Sequence, residues 1–377
     1  MLQTNDQDRL ARWAQHEDNK RKLEADLFLF ATIVLGRTYL YAPLHGPICK
    51  WLTTIPVVED GRAKFRKLLL LPREHCKTSI VSHALPAHIL IQRPETNIYL
   101  PGVDGCDTRI MLAGETLDRA SKNLRVIQGI FESNELFRKL WPKQTFDGKD
   151  PRKESKRWNA NEMEIPRNVN YPDPSIQAIG VGGAIVGARF DVMIKDDMVS
   201  IEAANSPVVM EGALTWHKAS RAMLESALSL EYIIGTRWAI HDVYDDIEQN
   251  DDTVTMIKRS VVEDGQAIYP TKFSVEPEYG KHSINELHKQ YGILFYLMYM
   301  NSAADPELVD FDIEQLRYYS MSGDSLVFDE SDVDAKLMDK LTAPAEEMPD
   351  VPSGTPLTPE TYDIITARHE FLRFRAR

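Results

Sequence analysis

The chain has 377 residues, 43% of them hydrophobic, enough for two ordinary domains or one large α/β domain with extensions. Its formal net charge of −13 argues against a protein that wraps DNA by bulk electrostatics, because such affinity comes from many cations neutralising phosphates. Cys49, Cys76 and Cys106 form neither an even set nor a metal-ligand spacing, which argues against a disulfide framework or a zinc site.

The N-terminus, MLQTNDQDRLARW, is polar and mixed in charge, unlike a secretory leader. Residues 7–35 read as helical, and the apolar run 27–35 is about half of what a bilayer span needs, so a soluble, cytoplasmic protein without a membrane partner is expected. YLYAPLHGPICKWL follows as a Pro/Gly-punctuated segment leading into a short helix. Residues 65–71 read as a buried strand stopped by Pro72. From Thr78 the pattern turns helical, with Pro86 expected to kink or end the helix. NIYLPGV reads as the next strand. Ile110, Ala113, Leu117, Ala120, Leu124, Ile127 and Phe131 recur at three and four residues, the stripe of an amphipathic helix. Loops and small strands are expected between Trp141 and Ile176, where Lys149, Arg152, Lys153, Lys156 and Arg157 form a basic cluster. Two further strands, 190–195 and 231–234, end in polar residues. Strands alternating with helices indicate a mostly parallel sheet flanked by helices, with ligands beyond the carboxyl ends of the strands. After about residue 325 the chain is acidic, rich in proline and linker-like.

Three strand ends carry residues with chemistry. LLLLPREHCKTS ends in Lys77-Thr78, as a phosphate loop of the form Gly-x-x-x-x-Gly-Lys-[Ser/Thr] does, although Leu71 and Cys76 stand at the glycine positions. Arg73 adds a second cation; the plain alternative is an ordinary strand-to-helix turn. In GARFDVMIKDDMVS, an apolar strand ends in Asp196-Asp197. Consecutive carboxylates there point differently, so one can hold Mg²⁺ while the next faces a nucleophile; the alternative is a solvated acidic turn. EYIIGTRWAIHDVYDD brings Thr236 and Arg237 to the same sheet edge, where they can sense a terminal phosphate or simply form a turn. For His241 a capping or structural role is expected.

The order PREHCKTS, IGVGGAIVGARFDVMIKDD, IIGTRWAIHDVYDD, DGQAIYPTKFS and LHKQYGILFYLMYMNSA resembles the ATPase part of the large terminase subunit of tailed bacteriophages, over roughly residues 35–320. The resemblance implies a P-loop NTPase fold of the ASCE, RecA-like kind. Residues 1–60 would form a helical, adenine-side segment, 61–325 the ATPase domain and 326–377 a linker or tail. It implies an ATP- and Mg²⁺-dependent motor in the host cytoplasm, working on double-stranded DNA with a portal protein and a small terminase subunit, as a homo-oligomeric ring docked transiently on the procapsid. Pro72, Arg73, Glu74, His75, Cys76, Lys77, Thr78 and Ser79 would then form the ATP-binding loop, with Arg73 and Lys77 as the variant Walker A cations. Thr78 and Asp196 would be the metal ligands, Asp197 the acid that polarises water, and Thr236 with Arg237 the coupling residues. Arg189 is a candidate arginine acting across a subunit boundary, and 39–45 lies where the family contacts adenine.

Two departures bear on this reading. A side chain at Cys76 would crowd the phosphates unless the backbone there keeps an ordinary conformation. The chain also stops where the family's nuclease domain begins, and Asp329, Asp332 and Asp334 lie in linker-like sequence, so nuclease activity is not expected. A helicase-like ATPase and a non-catalytic assembly protein are the alternatives.

Overall fold

Leu68 to Leu71 are all fully buried, so the strand they belong to needs apolar cover on both faces. The computed structural model, which describes residues 12–14, 16–184 and 187–302 with the backbone of 319–322 and 325–328, supplies that cover. Seven strands form one sheet: β1 (Arg66–Leu70), β2 (Ile110–Gly114), β3 (Glu162–Met163), β4 (Ile176–Gly180), β5 (Val192–Asp196), β6 (Leu230–Gly235) and β7 (Val254–Lys258). Their order is β3-β4-β2-β5-β6-β1-β7, parallel throughout except for the short edge pair β3/β4. The registers Leu70↔Gly235, Asp196↔Ile234 and Gly114↔Asp196 bring the carboxyl ends of β1, β6, β5 and β2 level at one edge.

The period of two divides the sheet between two cores. Leu69, Leu112, Ile194 and Ile234 face one side. Leu68, Leu70, Met111, Met193 and Ile233 face the other. The first side is covered by α1 (Glu17–Ala25), α2 (Leu27–Leu29, running on as a wide turn over Phe30–Val34), α3 (Ala42–Thr53), α4 (a wide turn over Ser79–Ala84 continued by Leu85–Leu90) and α5 (Leu117–Ser133). The second side is covered by α6 (Pro207–Ser220) and α7 (Val243–Asn250).

Several expectations are corrected. NIYLPGV is a bend and turn, because the Asn97 carboxamide oxygen accepts from the N–H groups of Tyr99 and Leu100 and Pro101-Gly102 turns the chain. The strand is instead Ile110–Gly114, buried on both faces. The amphipathic helix therefore begins only at Leu117, where the Thr116 hydroxyl accepts from the Arg119 N–H. The 7–35 stretch is interrupted at Asp26, whose extended backbone and carboxylate cap restart the helix. The punctuated segment after Tyr41 is itself α3, with Pro47 inside it. Pro86 neither ends nor breaks α4: it falls in the first turn of the α-helical part, after the wide turn, where its missing N–H costs little.

Residues from Val309 form a second unit, in which Tyr319–Ser322 pairs antiparallel with Ser325–Phe328. The expected tail, with Asp329, Asp332 and Asp334, otherwise lies outside the described residues. Among the described residues no helix is long and apolar enough to cross a membrane.

Candidate nucleotide-binding site

The loop between β1 and α4 crosses the level strand ends and borders a cleft of about 1040 Å³. Glu74 and Cys76 both take the left-handed backbone, at φ 65° and 61°. Left-handed residues interspersed along a loop gather backbone N–H groups into anion-binding nests. Cys76 thus departs from the ordinary conformation its side chain would favour and keeps the one a glycine would take, at roughly 1–2 kcal/mol for an L-residue. Its thiol is directed towards the Tyr269 hydroxyl, 4.0 Å away.

The loop is braced from outside. His75 Nδ1–H donates to the Arg73 carbonyl at 2.9 Å, and its ring stacks on Phe273 at 4.7 Å between centroids. Lys272 pairs with Glu74 at 2.8 Å. The Arg73 N–H donates to Met298 O at 2.9 Å, while its exposed guanidinium lies 5.6 Å from the centre of the Trp238 ring.

Lys77 is buried and donates to Leu71 O at 2.8 Å and to Thr236 Oγ1 at 3.1 Å, so the loop after β1 is bonded directly to the end of β6. Burial holds its ammonium below the usual lysine range, against the attraction of Asp197 and Asp196. Thr78 Oγ1 donates to Asp196 Oδ1 at 3.2 Å. Ser82 donates to Asp196 Oδ2 at 2.6 Å, and Asn123 Nδ2 donates to the same oxygen at 3.2 Å. His83 Nε2–H donates to Asn123 Oδ1 at 3.0 Å, which orients that amide. Burial, and then the neighbouring Asp197 carboxylate, push Asp196 up to about 7. Asp197 lies just past β5 with φ 46°; its N–H donates to Ile234 O and its carbonyl accepts from the Glu115 N–H, while its Oδ1 is buried without a partner.

Lys77, Thr78, Asp196, Asp197 and Thr236 therefore meet, and Arg73, Glu74, His75, Cys76 and Ser79 line the same cleft. Pro72, buried, opens the loop. Arg237 does not reach the cleft: buried, it pairs with Asp242 at 3.0 Å and donates to Ile240 O. Arg189 stands before the amino end of β5, the end opposite the acids, and donates to Ala222 O. Of residues 39–45 only Tyr39 lines the cleft; His45 is buried and packs edge-on against Tyr269. His241 pairs with Asp245 at 3.1 Å, and Lys149 and Arg152 of the basic cluster pair with Glu154 and Glu132.

Sequence reasoning missed Ser82, Asn123, Trp238 and Tyr269. Ser82 was findable, being four residues after Thr78 and so on the same helical face. Asn123 was not, since nothing in the amphipathic stripe marks it.

No protein-family model matches the chain, and no curated protein matches it in sequence. Among solved structures, a crystal structure of the HK97 bacteriophage large terminase is similar at a TM-score of 0.34 and 13% identity, over 68% of this chain and 44% of that one. The chain thus spans less than half the length of that neighbour. A likeness at that level adds nothing to what the residues themselves show.

Proposed function

We propose that the chain is a Mg²⁺-dependent ATPase of the large-terminase type, the motor that drives double-stranded DNA into a procapsid. The observation that carries the reading is one constellation. Lys77 and Thr78, on the loop leaving β1, are bonded to Thr236 at the end of β6 and to Asp196 at the end of β5, with β6 lying between the loop strand and the acid strand.

On this reading Lys77 exchanges its bonds to Leu71 O and Thr236 for phosphate oxygens, and Arg73 adds charge at the open side. Thr78 and Asp196 offer the hydroxyl and carboxylate oxygens that a hard cation takes, and a buried carboxylate pushed up to about 7 is one that a cation would relieve. Mg²⁺, when bound, supplies charge neutralisation on the β- and γ-phosphates. Asp197 orients the attacking water and accepts its proton. Positioning and electrostatics supply most of the rate in such chemistry. Thr236, released when Lys77 turns to the phosphates, is the first residue able to report occupancy to β6. Double-stranded DNA, the portal protein and the small terminase subunit are the partners of this reading. It further implies a homo-oligomeric ring on the procapsid in the host cytoplasm, with Arg189 serving a neighbouring protomer's site.

Mg²⁺-dependent ATP hydrolysis, with and without duplex DNA, tests the reading. The wild-type chain is expected to turn over, faster with duplex, while Lys77→Ala and Asp197→Ala lose at least about 100-fold without losing their cooperative melt. Retained turnover in Lys77→Ala overturns the assignment. A folded wild type that neither hydrolyses nor binds ATP would make the chain an assembly protein.

A further inference from the structure

Tyr244 is fully buried in the first turn of α7, on the side of the sheet away from the phosphate loop. Its place is tightly determined. Asp242 accepts from the N–H groups of Tyr244 and Asp245, which sets where the helix starts. The ring lies against the last residue of β6, where a Cβ on Gly235 would fall 2.0 Å from the ring carbon that bears the hydroxyl. Glycine at 235 is thus the condition for Tyr244 to reach the acid strand.

What it reaches is the turn that carries Asp197. The Tyr244 hydroxyl accepts from the Met198 N–H at 3.0 Å, one peptide beyond Asp197. Among the described residues its own proton has no acceptor, while the buried Oδ1 of Asp197 has no donor. A donor without an acceptor and an acceptor without a donor therefore flank the peptide between Asp197 and Met198, at a residue with left-handed backbone.

We propose that Tyr244 is a positioning residue for Asp197, clamping the turn through Met198 and donating a hydrogen bond from its hydroxyl to the Asp197 carboxylate, directly or through one water. The proposal rests on the ATPase reading and deepens it. Because the same ring touches Gly235, which precedes Thr236, the aim of the acid and the end of the coupling strand are set by one side chain.

Single-turnover ATP hydrolysis with excess enzyme is the test, with Tyr244→Phe made in the wild-type and in an Asp197→Asn background. The expected result is about a tenfold slowing in the wild-type background, nucleotide affinity within about twofold, and less than a twofold effect once Asp197 is Asn. Equal slowing in both backgrounds, or none in the first, overturns the role. Should the Phe variant lose its cooperative melt, 3-fluorotyrosine at 244 keeps the hydroxyl and, by lowering its pKa, makes it a stronger donor and a weaker acceptor. A rate that changes with the donor while affinity holds supports the proposal, and an unmoved rate overturns it. A folded wild type without turnover removes the ATPase reading and this proposal together, whereas an active wild type with an indifferent Tyr244 removes this proposal alone.

Discussion

At Cys76 a thiol-bearing residue holds a backbone conformation that glycine adopts freely, and the strain is localised to one residue of the loop. Cys76→Gly is expected to leave stability within about 1 kcal/mol, since relief of strain offsets the added freedom of the unfolded chain, and to preserve nucleotide affinity. Cys76→Val, β-branched at positive φ, should cost about 1–2 kcal/mol in urea denaturation; a neutral result would mean that the loop relaxes elsewhere. Gly235 is constrained by contact instead. Gly235→Ala drives a methyl into the Tyr244 ring and should lose about 1–3 kcal/mol by overpacking, which a midpoint shift at unchanged denaturant slope would register.

At the scale of elements, the second face of the sheet contains a buried ionic layer. Lys195 of β5 lies 2.5 Å from Glu231 of β6, and Arg66 of β1 pairs with the same carboxylate. Arg66 also pairs with Asp251 ahead of β7, which Arg221, just after α6, joins. Lys195 and the attracting arginine hold the Glu231 carboxyl well below its ordinary range despite burial. Removing one partner leaves buried charge uncompensated, so Glu231→Ala should destabilise by roughly 3–5 kcal/mol. The double change Lys195→Met with Glu231→Met should recover much of that loss; if the pair is no more stable than the single variant, the layer contributes more than charge balance. On the other face Lys67 donates to the carbonyls of Trp51, Leu52 and Thr54, closing the C-terminal end of α3 against β1.

Across the whole molecule, buried histidines govern the response to acid. Burial pushes His45, His83 and His88 down to about 4, and His75 and His217 to about 3. Their unfolded forms titrate near 6.5, so below that pH the unfolded chain binds more protons than the folded one and stability falls as pH falls. His88 shows why: Nε2–H donates to Leu23 O and Nδ1 accepts from the Tyr99 hydroxyl, an arrangement only the neutral ring satisfies. Asp196 and Asp242, both pushed upward by burial, act in the opposite sense, but as two acids against five bases. Unfolding free energies from urea denaturation taken from pH 7.5 to pH 5 should therefore fall, by roughly 1–2 kcal/mol for a histidine as buried as His88. A flat profile would count against neutral burial.

Three of the seven sheet strands, read at 65–71, 190–195 and 231–234, and the polar residues of the candidate site directly after them were legible in the sequence, because both follow from local pattern. Where the reading failed, two periods overlapped. Ile110 and Ala113 fit the helical stripe that truly begins at Leu117, and only burial on both faces by neighbouring layers makes 110–114 a strand. The same limit applies to the site. Chain order could bring Lys77, Asp196 and Thr236 to one edge, since parallel strands end together. That Arg237 turns into Asp242, that Arg189 stands at the far end of β5, and that Ser82, Asn123 and Tyr244 surround the acids are matters of packing between segments distant in sequence. Local propensity carries no information about such neighbours, so the tertiary structure alone decides them.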